Sequence, residues 1–157
     1  MTRKEAIERV MKNVKDRDIV VSSLGYTSRE LYGVKDRDLN IYIVGGMGSC
    51  LAIALGMALN IKRRVIAIIG DGEALMSLGT FRVVEDLNPE NLEIYVLNNN
   101  EYASTGGQKT VFCRFQDLAP YQTINVPIKR GKGNSPRIPF TGKQIKERFM
   151  KALGGIL

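Results

Sequence analysis

Histidine and tryptophan are both absent from the 157 residues. Without histidine the chain lacks the side chain that most often shuttles protons near neutrality and the commonest transition-metal ligand, so any metal it holds is expected to be a hard cation bound through oxygen. Cysteine occurs only twice, at Cys50 and Cys113. Two thiols are too few for a disulfide framework or a four-thiolate iron–sulfur site, and both are expected as small core residues. No run approaches the roughly 18 uncharged apolar residues that a membrane-spanning helix needs. The opening Met1-Thr2-Arg3-Lys4-Glu5 does not read as a secretory leader. The expectation is a soluble, cytoplasmic protein. Two nucleotide-binding signatures are also missing: Gly46-x-Gly48 has Leu51 where a third glycine would complete a dinucleotide fingerprint, and there is no Gly-Lys-Ser/Thr phosphate loop.

What is present suits one ordinary domain over 1–157, with 44% hydrophobic residues to build a core. The net charge of +7 is scattered, apart from Lys129-Arg130-Gly131-Lys132-Gly133, and no aromatic-studded RNA-reading motif accompanies it. It reads as a compositional habit rather than a nucleic-acid surface. Thr2 to Glu5 has capping-box spacing, followed by apolar residues at helical intervals to Val14. A strand is expected at Asp18–Ser23, and a second capping box at Thr27 should open a short helix to Tyr32. Further strands are expected at Ile41–Val44, Val65–Ile69, Leu92–Leu97 and Ile124–Ile128. Further helices are expected at Ser49–Asn60, at Glu73–Leu87, and after Thr141 and Gln144, with an irregular stretch from the fourth strand to about Tyr121. Strands that are nearly continuous apolar runs, alternating with helices, predict an α/β fold: a three-layer α/β/α arrangement on a mainly parallel sheet.

In such a sheet the unusual residues gather at one edge. Gly25 follows the first strand, Gly45-Gly46-Met47-Gly48 the second, Gly70-Asp71-Gly72 the third and Asn98-Asn99-Asn100 the fourth. All four loops would lie beyond the carboxyl ends of the strands, where open α/β sheets bind ligands. Glycines at a strand-to-helix turn let the backbone approach a phosphate, and the next helix offers free N–H groups. Asp71 would repel that phosphate unless a divalent cation bridged them. Mg²⁺ accepts carboxylate, amide and carbonyl oxygens, and Asn99 is placed to be a second ligand.

Gly70-Asp71-Gly72, 25 intervening residues and then Asn98-Asn99 resemble the cofactor motif of thiamine-diphosphate enzymes, in their diphosphate-binding module. "VSSLGYTSRELYGVKDRDLNIYIVGGMGSCLAIALGMAL" and "VLNNNEYASTGGQKT" are similar to the sulfopyruvate decarboxylase β-subunits and the phosphonopyruvate decarboxylases. The resemblance implies a thiamine-diphosphate-binding fold in which Asp71 and Asn99 ligate Mg²⁺ by side-chain oxygens and Glu101 by its backbone carbonyl. It further implies that the turn at Gly70 and the N–H groups of Gly72, Glu73 and Ala74 meet the diphosphate, with Gly25, Tyr26, Thr27 and Tyr102 also on the cofactor. Met47 would wedge the two cofactor rings into a V, and the Gly45 carbonyl would receive the pyrimidine amino group. Ser104, Thr105 and Gln108 would line the substrate side, and Arg29 or Lys109 would supply a cation for a sulfonate or phosphonate. The activating glutamate belongs to a pyrimidine-binding module for which this chain has no room. A separate α subunit and a hetero-oligomer are therefore implied, acting on an anionic 2-oxo acid.

The sequence also departs from the family pattern. Glu73 and Glu101 add negative charge where small residues are usual, Lys109 replaces a proline, and the chain is shorter between Arg114 and Ile124, as though one helix–strand unit were absent. Besides sulfopyruvate decarboxylation, four readings stay open: a phosphonopyruvate decarboxylase or acetolactate-synthase-like carboligase subunit, an oxo-acid:ferredoxin oxidoreductase β-subunit, a non-catalytic cofactor-binding or regulatory protein, and a nucleic-acid-binding module.

Overall fold

The computed structural model describes residues 1–111 and 113–154. The first helix, α1 (Arg3–Met11), begins at the expected capping box: the Thr2 hydroxyl accepts the Glu5 N–H at 3.2 Å and the Glu5 carboxylate accepts the Thr2 N–H at 2.7 Å. The chain continues through β1 (Ile19–Ser22), α2 (Tyr26–Lys35), β2 (Asn40–Tyr42), α3 (Cys50–Asn60) and β3 (Val65–Gly70). It then forms α4 (Asp71–Met76), α5 (Leu78–Leu87), β4 (Leu92–Asn98) and a small hairpin of β5 (Glu101–Tyr102) and β6 (Gln108–Lys109). A 3-10 turn at Phe115–Asp117, β7 (Thr123–Pro127) and α6 (Gly142–Ala152) complete it. A capping box also opens α6, with Thr141 and Gln144 bonded reciprocally.

Five strands form one wholly parallel sheet in the order β2-β1-β3-β4-β7. The order reverses beside β1, so the crevice between the β1 and β3 ends is the natural ligand position. Strand side chains alternate between two apolar layers, as the period of two requires. Val65, Ala67 and Ile69 pack with α3 and α5 residues such as Leu51, Ala54, Phe81 and Val84, while Ile66 and Ile68 pack with Ile7, Val10 and Leu31 of α1 and α2. The three-layer parallel architecture expected from the apolar runs is therefore the observed one. At the opposite, amino edge, Arg64 binds Asp18 at 3.1 Å and Glu93 at 2.7 Å, tying three strand starts together.

Four local expectations are corrected. Helix α1 ends at Met11 rather than near Val14. Thr27 is not a cap: Gly25, at φ +79°, precedes the first helical residue, and Thr27 is buried in the first turn of a helix that runs on to Lys35. The span Glu73–Leu87 is two helices, broken at Ser77, whose hydroxyl lies 3.0 Å from both the Glu73 and Gly48 carbonyl oxygens. A serine side chain that bonds backbone carbonyls competes with helix propagation. The stretch after β4 is not wholly irregular, since it carries the β5–β6 hairpin and the 3-10 turn.

Phe81 is completely buried between α5 and the sheet. Phe81→Ala should lower unfolding free energy by about 3–5 kcal/mol, read as a shifted urea midpoint at an unchanged slope.

Candidate functional site

The apolar strand β3 delivers Gly70-Asp71-Gly72 to the carboxyl edge, and β4 delivers Asn99 next to it: the pairing runs from Val65↔Leu92 to Gly70↔Leu97. Asp71 is 2% and Asn99 4% exposed, although both are polar. They line one cavity of about 260 Å³. Also lining it are Gly70, Gly72 and Glu73 from the β3 turn, and Ser23, Leu24, Tyr26 and Thr27 from the β1 turn. Met47, Met76 and Leu97 contribute to the walls, as do Glu101, Tyr102, Ala103, Ser104 and Thr105 from the segment after β4, together with Arg3.

Burial pushes the Asp71 carboxyl above the usual carboxylate range, against the Thr110 hydroxyl and the backbone N–H groups of Asp71, Gly72 and Asn99, which all favour its charged form. Thr110 Oγ1 donates to Asp71 Oδ2 at 2.7 Å. The Asn99 side-chain oxygen accepts the Glu101 N–H at 3.2 Å. Among the described residues no three His, Cys, Asp or Glu side chains cluster as a metal cage. Any cation here would rely on one carboxylate, amide or carbonyl oxygens and ligand oxygens, the mixed set that suits Mg²⁺.

Glu73 and Glu101, the two acids that depart from the family pattern, each accept a backbone N–H. Glu73, 3% exposed, accepts the Cys50 N–H at 3.1 Å, and it thereby caps α3, whose own N-cap Ser49 makes no side-chain cap bond. Its second oxygen, Oε2, is buried with no hydrogen-bond partner among the described residues. Glu101 accepts the Gly131 N–H at 2.6 Å, clipping the segment after β4 to the basic segment. Gly72 has no room for a side chain, since a Cβ there would stand 2.5 Å from the Tyr102 ring.

Most of the expected site residues meet in this cavity, and six do not line it: Gly25, Arg29, Gly45, Ala74, Gln108 and Lys109. Gly45 is exposed and lies in a groove beside β2 and α6. Ala74 is buried beneath the turn. Gly25 stands just behind the wall, where a Cβ would be 2.9 Å from Ser104 Oγ. Gln108 is exposed on β6 and hydrogen-bonds Thr105, donating to its carbonyl at 3.1 Å. Lys109 is exposed as well and does not line the cavity. Met47 is 41% exposed rather than packed in the core. Three contributors were not legible beforehand: Arg3, Thr110 and Ser77. Arg3 and Thr110 lie far in sequence from the residues they meet, and Ser77 sits inside an apparently uninterrupted helical pattern.

The family model for thiamine pyrophosphate enzymes, C-terminal TPP binding domain, matches residues 24–134. Sulfopyruvate decarboxylase subunit beta from Methanocaldococcus jannaschii is 44% identical over 106 residues, covering 68% of this chain and 56% of that one. The subunit of the same name from Methanothermobacter thermautotrophicus is 34% identical over 180 aligned positions, covering 99% of this chain and 97% of that one. That alignment is longer than the 157 residues here, so the relative carries residues without a counterpart in this chain. The fold is shared with the thiamine diphosphate-dependent 4-hydroxybenzoylformate decarboxylase of Rhodococcus jostii RHA1, at TM-score 0.70 and 19% identity over 86% of this chain and 33% of that one.

A carboxyl whose charge is disfavoured by burial makes the fold more stable below its titration range and costs stability as pH rises through it. Asp71→Asn in the cofactor-free protein should therefore melt a few degrees higher than wild type at pH 7, with the gap closing toward about pH 4. Thermal melts across that range check it.

Proposed function

Because this chain belongs to the thiamine pyrophosphate enzymes, as their C-terminal TPP-binding domain, we propose that it is the thiamine-diphosphate- and Mg²⁺-binding β subunit of a 2-oxo-acid decarboxylase. Its proposed substrate is sulfopyruvate, converted to sulfoacetaldehyde and carbon dioxide. A pyrimidine-binding α subunit would complete the site. The observation that carries the reading is the meeting of buried Asp71 and buried Asn99 at the ends of adjacent strands, in a chain with a β-subunit relative alike along nearly its whole length.

The residues present suit the cofactor. Asp71 is a buried anion with no cationic partner among its hydrogen-bond donors, and Glu73 Oε2 is a buried acceptor without a donor. A Mg²⁺-diphosphate supplies a cation to such a pair of buried carboxylates. When bound, thiamine diphosphate provides a nucleophilic carbon and a sink for the electrons released as carbon dioxide leaves.

This chain's part is to bind, orient and exclude water. Asp71 and Asn99 would hold the cation through side-chain oxygens and Glu101 through its carbonyl. The N–H groups of Gly72, Glu73 and Ala74 would donate to the diphosphate, beside the Gly25-Tyr26-Thr27 turn and Tyr102. Met47 would hold the ring angle. Its loop is braced by Ser77 on the Gly48 carbonyl and by the Ser49 hydroxyl donating to the Gly46 carbonyl at 2.6 Å. The Gly45 carbonyl is the proposed acceptor for the ring amino group. Ser104 and Thr105 would face the substrate, and Gln108 would steady Thr105.

Calorimetric titration is the direct test: Asp71→Ala should abolish Mg²⁺-dependent thiamine diphosphate binding, and unchanged affinity would remove the ligand assignment. The chain alone should turn over no sulfopyruvate, whereas a co-purified complex with its α subunit should. Binding without turnover in every complex would favour a non-catalytic role. In the active complex, Met47→Ala should lower kcat by about tenfold or more with little change in melting temperature, because the side chain is too exposed to support the core.

A further inference from the structure

No cofactor or substrate role has fallen to the one basic block of the sequence, Lys129-Arg130-Gly131-Lys132-Gly133. In the fold this block meets the amino end of α1 and forms a cleft of about 540 Å³, which shares Arg3 with the cofactor cavity. Five cationic side chains line the cleft: Arg3 and Lys4 from α1, and Lys129, Arg130 and Lys132 from the loop. One acid lines it, Glu30, which pairs with Arg3 at 3.4 Å. Among the described residues that is the only ion pair of the cleft, so Lys4, Lys129, Arg130 and Lys132 are left without a carboxylate. Glu5 lies outside the cleft, its carboxyl held below the usual range by the Thr2 N–H first and by Lys129 least.

The cleft is built into the fold. Its loop is pinned at three backbone points: the Lys129 N–H donates to the Met1 carbonyl at 2.8 Å, the Gly131 N–H to Glu101 at 2.6 Å, and the Gly131 carbonyl accepts from Arg3 at 3.5 Å. Arg3 and Glu30 form a buried floor, 9% and 5% exposed. A Cβ at Gly133 would overlap Glu30 Oε1, so only glycine lets the chain pass there. Glu30 Oε2 is buried with no hydrogen-bond partner among the described residues, and the floor acid is therefore answered by Arg3 alone. The amino end of the nine-residue α1 adds its partial positive charge. Lysines bind phosphate as point charges, and each phosphate group brings roughly one to two negative charges. Two or three joined phosphates match the four unpaired cations. A concave volume of this size suits a small ligand.

We propose that this cleft is a second anion site, which binds the di- or triphosphate group of a small phosphorylated metabolite between the amino end of α1 and the 129–133 loop. Lys4, Lys129, Arg130 and Lys132 do not line the cofactor cavity, so the site stands whether or not that cavity holds thiamine diphosphate.

Inorganic tripolyphosphate is the probe, titrated calorimetrically into the full chain in the presence of EDTA, so that no divalent cation can carry a phosphate onto Asp71. Lys129→Met and Lys132→Met should each weaken binding about tenfold. Both lysines are exposed, so these variants should melt at the wild-type temperature. Lys62→Met removes the same charge from an exposed position between α3 and β3, at the opposite edge of the sheet, and should bind as wild type. Equal weakening in all three variants would reduce the effect to the net charge of the chain and overturn the site. Binding that ignores both cleft lysines would place the anion elsewhere, and a wild-type chain that binds no tripolyphosphate would remove the proposal outright. Tighter binding of a polyglutamate peptide than of tripolyphosphate would reassign the cleft to an acidic segment of another protein and overturn the small-ligand assignment.

Discussion

A carboxylate kept 2% exposed at the end of a fully apolar strand is the constraint around which the rest of this structure is arranged. Burying an ionised group is costly unless hydrogen bonds or an opposite charge attend it. Here the fold supplies the hydrogen bonds, from Thr110 and from N–H groups of two loops, and among the described residues Asp71 forms no ion pair. The β3–β4 pairing places Asn99 at the neighbouring strand end, and the order reversal beside β1 opens the crevice into which both groups are delivered.

How much of this could be read from the residues follows from the range of the forces involved. The parallel sheet was legible because its strands are nearly uninterrupted apolar runs, and the helices α1 and α6 because capping boxes are local hydrogen-bond patterns. Asp71 and Asn99 were legible together because both sit at ends of such strands. The break at Ser77 was not, since it depends on Gly48, which approaches from another loop. Thr27 misled for a related reason. Its spacing satisfies a capping pattern, but Gly25 adopts a left-handed conformation and starts the helix earlier, so that Thr27 faces the cavity instead.

Arg3 shows the same limit from the other side. In sequence it is the first residue of an amphipathic helix and reads as a solvated charge. In the fold α1 packs against α2, bringing Arg3 to Glu30 and Tyr26. No local pattern announces a contact between residues 3 and 30, because it is made by the packing of two helices on a shared sheet face.

The unusual acids of the cofactor loops illustrate how such a site manages its charge. Placed beside a diphosphate, Glu73 and Glu101 would oppose binding, yet neither carboxylate is left to do so freely. Glu73 spends one oxygen on the first N–H of α3, a helix whose own cap residue makes no side-chain bond, so the negative charge lies against a positive helix end. Glu101 spends one oxygen on Gly131 of the basic segment, and the carbonyl of that same glycine accepts from Arg3. Gly131 thus links the segment after β4 to Arg3 of α1 through a single peptide residue. Charge that would weaken ligand binding is converted into loop-to-loop attachment.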